Sequence, residues 1–500
     1  MAKVGFRGLA GSRRKQPEGP RFPEREIIEE IFDSGPGFWL KVCRFYYWHC
    51  SSVGVKQAKT ISMKRIVASV GMVAVGASGL QAELLPAMTT ESGKPWTVGA
   101  TLRGFYDDNV NTVPDNYTAP GFHRSSTGFE VSPFLRFSFP MEQTTLSFGY
   151  VYSLKYYENK PIGNTDNYDQ THQFDVALTH AFSERYQLSV KDSLVIGQEP
   201  DMLRAGNTFD SFQRISGDNL RNYGEITFSA QITPELATEV GYANTFFSYA
   251  DNQTSGTLGT PNFNPSLSGL LDELDNVAHL DLRYLLQPQT TGVIGYQFRE
   301  LDYIGNQPIG ANLATGQVIT SNERNVLMNY LYLGLDHNFR PNLTGSVRVG
   351  GQYAQYYNDP ASQDELSPYA MLNLKYTYLP ESYLQAGFVY DYTPASLFSV
   401  NQAGDLTLNA QSATLFASLT HRITPKLYGN LLAQYQNSTY YGGTFDGQAD
   451  NYYLIGLSLQ YRFTPNFSAE VGYNYDNVHS DIANRSYDRN RVYVGVTGSY

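Results

Sequence analysis

The side chains that could do chemistry in this chain are charges placed at every second residue of alternating runs. Phe467–Asp476 shows the pattern. Phe467, Ala469, Val471, Tyr473 and Tyr475 share one parity, and Ser468, Glu470, Gly472, Asn474 and Asp476 share the other. Successive side chains of a strand point to opposite faces, so such a run has one apolar and one hydrophilic face. Carried along the chain, the parity gathers Arg103, Arg136, Glu239, Arg283, Arg299, Asp336, Arg348, Arg422, Arg462 and Glu470 on hydrophilic faces, with Glu130, Lys155, Asp175, Asp281, Asp391 and Arg491 beside them. The signs are mixed. Groups of this kind can pair and brace a wall, or set a transverse field for solutes passing in front of them. Asp192 breaks the rule by sharing parity with Leu188, Val190 and Leu194. It lies either near an interface or in a register shifted by one.

Covalent chemistry has little to work with. The histidines are scattered, and His180, His337 and His421 each fall just before a turn signal, which suits an amphipathic ring at an interface better than a general base. No Gly-x-Ser-x-Gly, His-Glu-x-x-His or phosphate-loop motif occurs, so no catalytic residue, cofactor or metal site is expected. The two cysteines, Cys43 and Cys50, both lie in the N-terminal stretch.

The elements that must position the charges form a repeated strand-turn-strand unit. Ala413–Gln436, Tyr453–Asp476 and Gly224–Ala243 each run through an alternating segment, a tight turn (Thr-Pro-Lys, Thr-Pro-Asn, Thr-Pro-Glu) and a second alternating segment. Looser copies turn near Pro140, Glu184, Pro288, Pro341 and Pro380, and polar, Gly/Asn-rich excursions separate the copies. Eight such units, with one run before them (Trp96–Asp107) and one after (Arg489–Tyr500), give about 18 strands, in the range 16–18. The expected fold is therefore all-β: a transmembrane antiparallel up-and-down β-barrel over residues 96–500. Short periplasmic turns lie at one end together with both termini, and long extracellular loops at the other. Apolar faces that end repeatedly in Tyr or Phe suit an aromatic girdle at a lipid interface. A barrel of this strand number has room for an aqueous lumen, which an eight-stranded one fills with side chains.

Targeting and charge agree with that placement. Residues 63–82 have two positive charges, a short apolar core and a small residue at Ala82, the pattern of a secretory signal cleaved after Ala82. Residues 1–62 read as an upstream extension or disordered leader, and residues 83–95 as a short periplasmic segment. Residues 1–82 hold 13 of the 36 Lys+Arg and 6 of the 47 Asp+Glu, which leaves 23 against 41 beyond them. So acidic a chain is not built to bind nucleic acid.

A constriction would come from a long excursion folded inward. The candidates are residues 197–221, 250–276 and 304–323, and the second contains an amphipathic, helix-like Leu267–Asp275. Inward Phe134, Tyr223, Tyr330 and Tyr332 would either pack against such a loop or form an aromatic track for sugars.

With its hairpin repeat, its leader and its closing run Arg491–Tyr500, the chain resembles the outer-membrane β-barrel porin family of Gram-negative-type bacteria over residues 90–500. Tyr500 and Gly495 resemble the C-terminal signal that the barrel-assembly machinery recognises, although Gly498 stands where a large hydrophobic residue is usual. The resemblance implies a bacterial outer-membrane address, contact with lipid and lipopolysaccharide, pore formation and, as in many porins, a homotrimer. The expected function is passive diffusion of small hydrophilic solutes. The alternatives are exopolysaccharide export or surface retention, with which some relatives are associated, and a structural or adhesive surface barrel.

Overall fold

The computed structural model describes residues 94–500 apart from 115, 119–121, 160–165, 199–217, 261–262, 360–363, 396, 398 and 402–404. The leader, the cleavage position at Ala82, both cysteines and most of the 197–221 excursion lie outside the described residues.

Strands form wherever the alternation of the sequence is sustained. They are β1 (Trp96–Asp107), β2 (Ser126–Pro140), β3 (Thr144–Tyr157), β4 (Tyr168–Ala181), β5 (Tyr186–Gly197), β6 (Asn219–Gln231), β7 (Leu236–Tyr249), β8 (Glu273–Gln287) and β9 (Thr290–Tyr303). A small hairpin, β10 (Pro308–Ala311) and β11 (Val318–Thr320), interrupts the series. It resumes with β12 (Val326–Arg340), β13 (Leu343–Gln355), β14 (Asp364–Leu379), β15 (Ser382–Pro394), β16 (Asn409–Arg422), β17 (Leu427–Tyr441), β18 (Ala449–Thr464), β19 (Phe467–Ser480) and β20 (Tyr487–Ser499). Apart from β10 and β11, each strand pairs antiparallel with its neighbours in sequence, giving one 18-stranded sheet. The sheet closes on itself: β1 pairs with β20 from Gly99↔Ser499 to Asp107↔Arg491, and Tyr500 and Val98 exchange backbone hydrogen bonds. Closure removes the free edges, which is what allows a sheet to sit in lipid.

All eight turn signals fall where the sequence puts them, and their chemistry explains their shortness. At Thr233-Pro-Glu and at Thr424-Pro-Lys the threonine hydroxyl accepts from the two backbone N–H groups that follow the proline, Glu235 and Leu236 in one turn and Lys426 and Leu427 in the other. The two-residue turns at 288–289, 341–342, 380–381 and 465–466 each follow a register shift in the preceding strand. Such a bulge adds the local twist a tight reversal needs. The long connections lie at the opposite end, and the start of β1 and Tyr500 lie together at the short-turn end.

The outer face is apolar between two polar-tipped rings. Leu331, Leu333, Val349, Leu415, Leu457, Val471 and Val494 are among its exposed side chains. At the short-turn end His180 and His337 stack edge-on to Phe182 and Phe339 at 4.5 and 4.6 Å, with their Nδ1 atoms 2.7 and 2.8 Å from the hydroxyls of Thr144 and Thr290. Toward the long loops, tyrosine hydroxyls donate to asparagines on the next strand: Tyr242 to Asn276, Tyr296 to Asn329, Tyr435 to Asn451 and Tyr473 to Asn490, at 2.6 to 2.8 Å. Amphipathic rings of this kind belong at the two lipid–water boundaries. Asp192 stands on this outer face, paired across the ladder with Val176 and Gly224. Its register does not slip. The carboxylate instead accepts from Asn222 Nδ2 at 3.1 and 3.2 Å.

Candidate functional site: the inner wall of the barrel

The inner wall is built from the opposite parity, and most of its charges are matched within it. Arg103 lies 2.5 Å from Glu470 and 3.6 Å from Glu130. Arg283 lies 3.1 Å from Glu239 and 3.6 Å from Asp281. Arg299 reaches Asp275 at 3.0 Å and Arg348 reaches Asp336 at 2.7 Å. The same holds for Arg489 with Asp107, Arg491 with Asp476 and Arg485 with Asp450. Buried charges persist only when paired in this way.

One of these pairs and one further inward hydrogen bond depend on glycine. In the row Glu130–Arg103–Gly495–Glu470, the Arg103 side chain lies across Gly495 to reach the acid one strand beyond. A Cβ at 495 would stand 2.7 Å from Arg103 Cγ. Tyr332 likewise lies over Gly295 and donates to Asp281 at 2.7 Å, where a Cβ at 295 would meet the Tyr332 ring at 2.1 Å. Gly495 therefore has a packing role in the folded wall, whatever its part in assembly.

Three of the ten residues selected by parity stand apart from this matched set. Arg422 sits at the short-turn rim, 3.3 Å from Glu381 in the neighbouring turn. Arg136 lies against the Phe134 ring at 4.8 Å, and Arg462 against the Tyr428 ring at 4.3 Å. Tyr500 pairs with Trp96 at 5.9 Å, and Lys94 covers its ring at 3.7 Å.

Toward the long loops, strands β9–β15 also carry an apolar cluster on their inward face. Leu301, Tyr303, Met328, Tyr330, Tyr332, Tyr369, Met371 and Val389 pack with Ile309 and Ile319 of the β10–β11 hairpin and with Leu406 and Leu408 of the 395–408 loop. Tyr330 and Tyr332 therefore belong to a packed cluster and form no open aromatic track. Tyr223 packs edge-on to Phe247 at 5.8 Å. The expected helix is shorter than the sequence suggests. It is α1 (Leu267–Leu271), because Glu273 already begins β8, and ladder pairing overrides the helical period there. Its Leu270 packs against the same cluster.

Arg324 ties these loops together. Only 1% exposed, its guanidinium donates to the Leu270 carbonyl at 2.9 Å, the Tyr303 hydroxyl at 2.9 Å and the Ala395 carbonyl at 2.7 Å, and it lies 3.9 Å from the Tyr303 ring centroid. Alternation says nothing about a residue between strands. The available signal was the Thr320-Ser-Asn-Glu323 capping box, in which Thr320 N–H donates to Glu323 Oε1 at 3.1 Å and fixes the 3-10 turn Ser321–Arg324. Burial holds the Glu323 carboxyl above the usual glutamate range.

No group of three or more His, Cys, Asp or Glu side chains that could hold a metal occurs among the described residues. The closed sheet, the apolar belt between amphipathic rings and the charged inner wall define a porin-like β-barrel of the bacterial outer membrane. Residues 389–500, from the middle of β15 to the C-terminus, match the family model described as "Putative beta-barrel porin 2".

Among solved structures, the chain is similar to a BenF-like porin from Pseudomonas fluorescens Pf-5, with 13% identity, 81% of this chain and 99% of that chain covered, and a TM-score of 0.41. OccAB4 of Acinetobacter baumannii matches at 14% identity over 81% and 99% of the two chains, with a TM-score of 0.40. A ferric enterobactin receptor mutant of Pseudomonas aeruginosa matches at 11% identity over 82% and 81%, with a TM-score of 0.41. The ligands in these names are those proteins' own. No curated protein matches the sequence.

Proposed function

We propose that the barrel is a passive channel for small hydrophilic solutes, with Arg103, Arg136, Glu239, Arg283, Arg299, Asp336, Arg348, Arg422, Arg462 and Glu470 along its lumen. The observation that carries this is the inner wall itself: an 18-stranded barrel whose inward charges are mostly matched. Internal pairing lets the wall stay hydrated without a strong field of one sign, which suits general diffusion. The narrowing falls beside the loop cluster held by Arg324. Nothing in this transport needs a cofactor or an energy source.

Single-channel recording of the refolded protein in planar bilayers tests the proposal. Steady conductance steps in concentrated salt are expected. A folded, heat-modifiable protein that conducts nothing would refute it.

A further inference from the structure

One stretch of the inner wall departs from the pairing rule. At the short-turn end, five consecutive strands present Lys375 (β14), Tyr383 (β15), Arg422 (β16), Tyr428 (β17) and Arg462 (β18). All five have the inward parity, opposite to the lipid-facing Tyr376, Leu384, Leu415, Tyr461 and Phe463. Cation and tyrosine alternate from strand to strand. With strands roughly 4.8 Å apart, successive cations are set roughly 10 Å apart across the sheet, and the register adds an offset along the strands: the row of Lys375 runs through Gln385 to Ser418, four residues short of Arg422.

Their partners differ from those of the other inward cations. Lys375 Nζ lies 5.4 Å from the Tyr383 ring centroid, and Arg462 Cζ lies 4.3 Å from that of Tyr428. Neither makes an ion pair among the described residues, and the buried Arg462 Nε has no acceptor. One carboxylate serves the arc: Glu381 accepts from Arg422 Nη1 at 3.3 Å and from the Tyr428 hydroxyl at 2.6 Å. Glu381 is itself held in the turn with φ 59°. Arg340 and Lys426 add two further cations at the adjoining strand end and turn. A tyrosine face steadies a cation without neutralising it, so Lys375 and Arg462 keep free donors for an incoming anion.

We infer that this cation–tyrosine arc is a binding site for solutes bearing carboxylate or phosphate groups, placed where the channel opens at its short-turn end. The site deepens the channel proposal by naming the solute class the lumen favours. It does not depend on current flow for its detection.

Citrate and inorganic phosphate are the probes, each titrated calorimetrically at low salt into the detergent-folded full chain, with folding checked by heat modifiability. Saturable binding of at least one probe is expected, weakened about tenfold by Lys375→Gln and by Arg462→Gln, the loss of one charged contact. Glu142→Gln, in the first short turn, should leave it unchanged. Binding of citrate alone assigns the site to carboxylates, and of phosphate alone to phosphates. Lys375 is exposed, so its variant keeps the test alive if Arg462→Gln fails to fold. A folded protein that binds neither probe, or binds them equally well in wild type and Lys375→Gln, overturns the inference. A protein that binds but never conducts overturns the channel proposal and keeps the site; one that conducts but binds neither probe does the reverse.

Discussion

Replacing Arg324 by alanine should release the inward loops while leaving the barrel intact. Three donations converge on this guanidinium, to Leu270 O, Tyr303 Oη and Ala395 O at 2.7 to 2.9 Å, and the side chain is almost wholly buried. A hydrogen bond from a charged donor contributes about 1.5–3 kcal/mol, and the three cannot simply be added because they share one group. Loss of the set, with buried acceptors left unsatisfied, is expected to cost about 4 kcal/mol of loop docking. That corresponds to roughly a thousandfold rise in the undocked population. No ladder hydrogen bond involves the Arg324 side chain, so closure of the 18-stranded sheet and the heat-modifiable shift should survive. Two assays read the effect. Hydrogen exchange over residues 304–325 should lose most of its protection, and single-channel recordings should show larger, noisier steps. Unchanged protection together with unchanged conductance would show that the apolar cluster holds the loops unaided, and the hub assignment would be wrong.

Three further outcomes follow from the same geometry. Asp107→Ala leaves the buried Arg489 without its carboxylate at the β1–β20 seam, and by the cost of breaking such a pair it should destabilise the barrel by about 3 kcal/mol or more; heat-modification midpoints measure it, and an unchanged midpoint counts against a role in closure. Gly495→Ala forces Arg103 off Glu470 and should cost about 1–3 kcal/mol in denaturant titrations of the folded protein; slower assembly with unchanged folded stability would point to the insertion signal instead. Asp192→Leu removes a carboxylate from the lipid-facing side and should raise stability by up to about 1 kcal/mol in bilayers; a marked loss would show that its bonds to Asn222 outweigh its desolvation.

Much of the architecture is local information, and the sequence carried it. Parity depends only on a strand's period of two, so Arg103, Glu239 and Glu470 could be assigned to the inner face from neighbours one or two residues away. Turn placement is equally local: proline and the preceding threonine mark the reversals at 233–235 and 424–426 by hydrogen bonds spanning two or three residues. Strand number followed from counting those turns. What parity cannot give is height along the wall or identity of partner. Arg103 meets Glu470 across 367 positions of sequence, over a glycine whose role appears only once β1 lies against β20. Arg324, between strands and without a period, becomes a hub only when α1, the end of β9 and the loop after β15 converge on it. The Lys375–Arg462 arc exists because three short turns, at 380–381, 423–426 and 465–466, bring one residue from each of five strands toward the same rim. Period two names a face; register and closure decide which residues share it at one level, and those are properties of the assembled sheet.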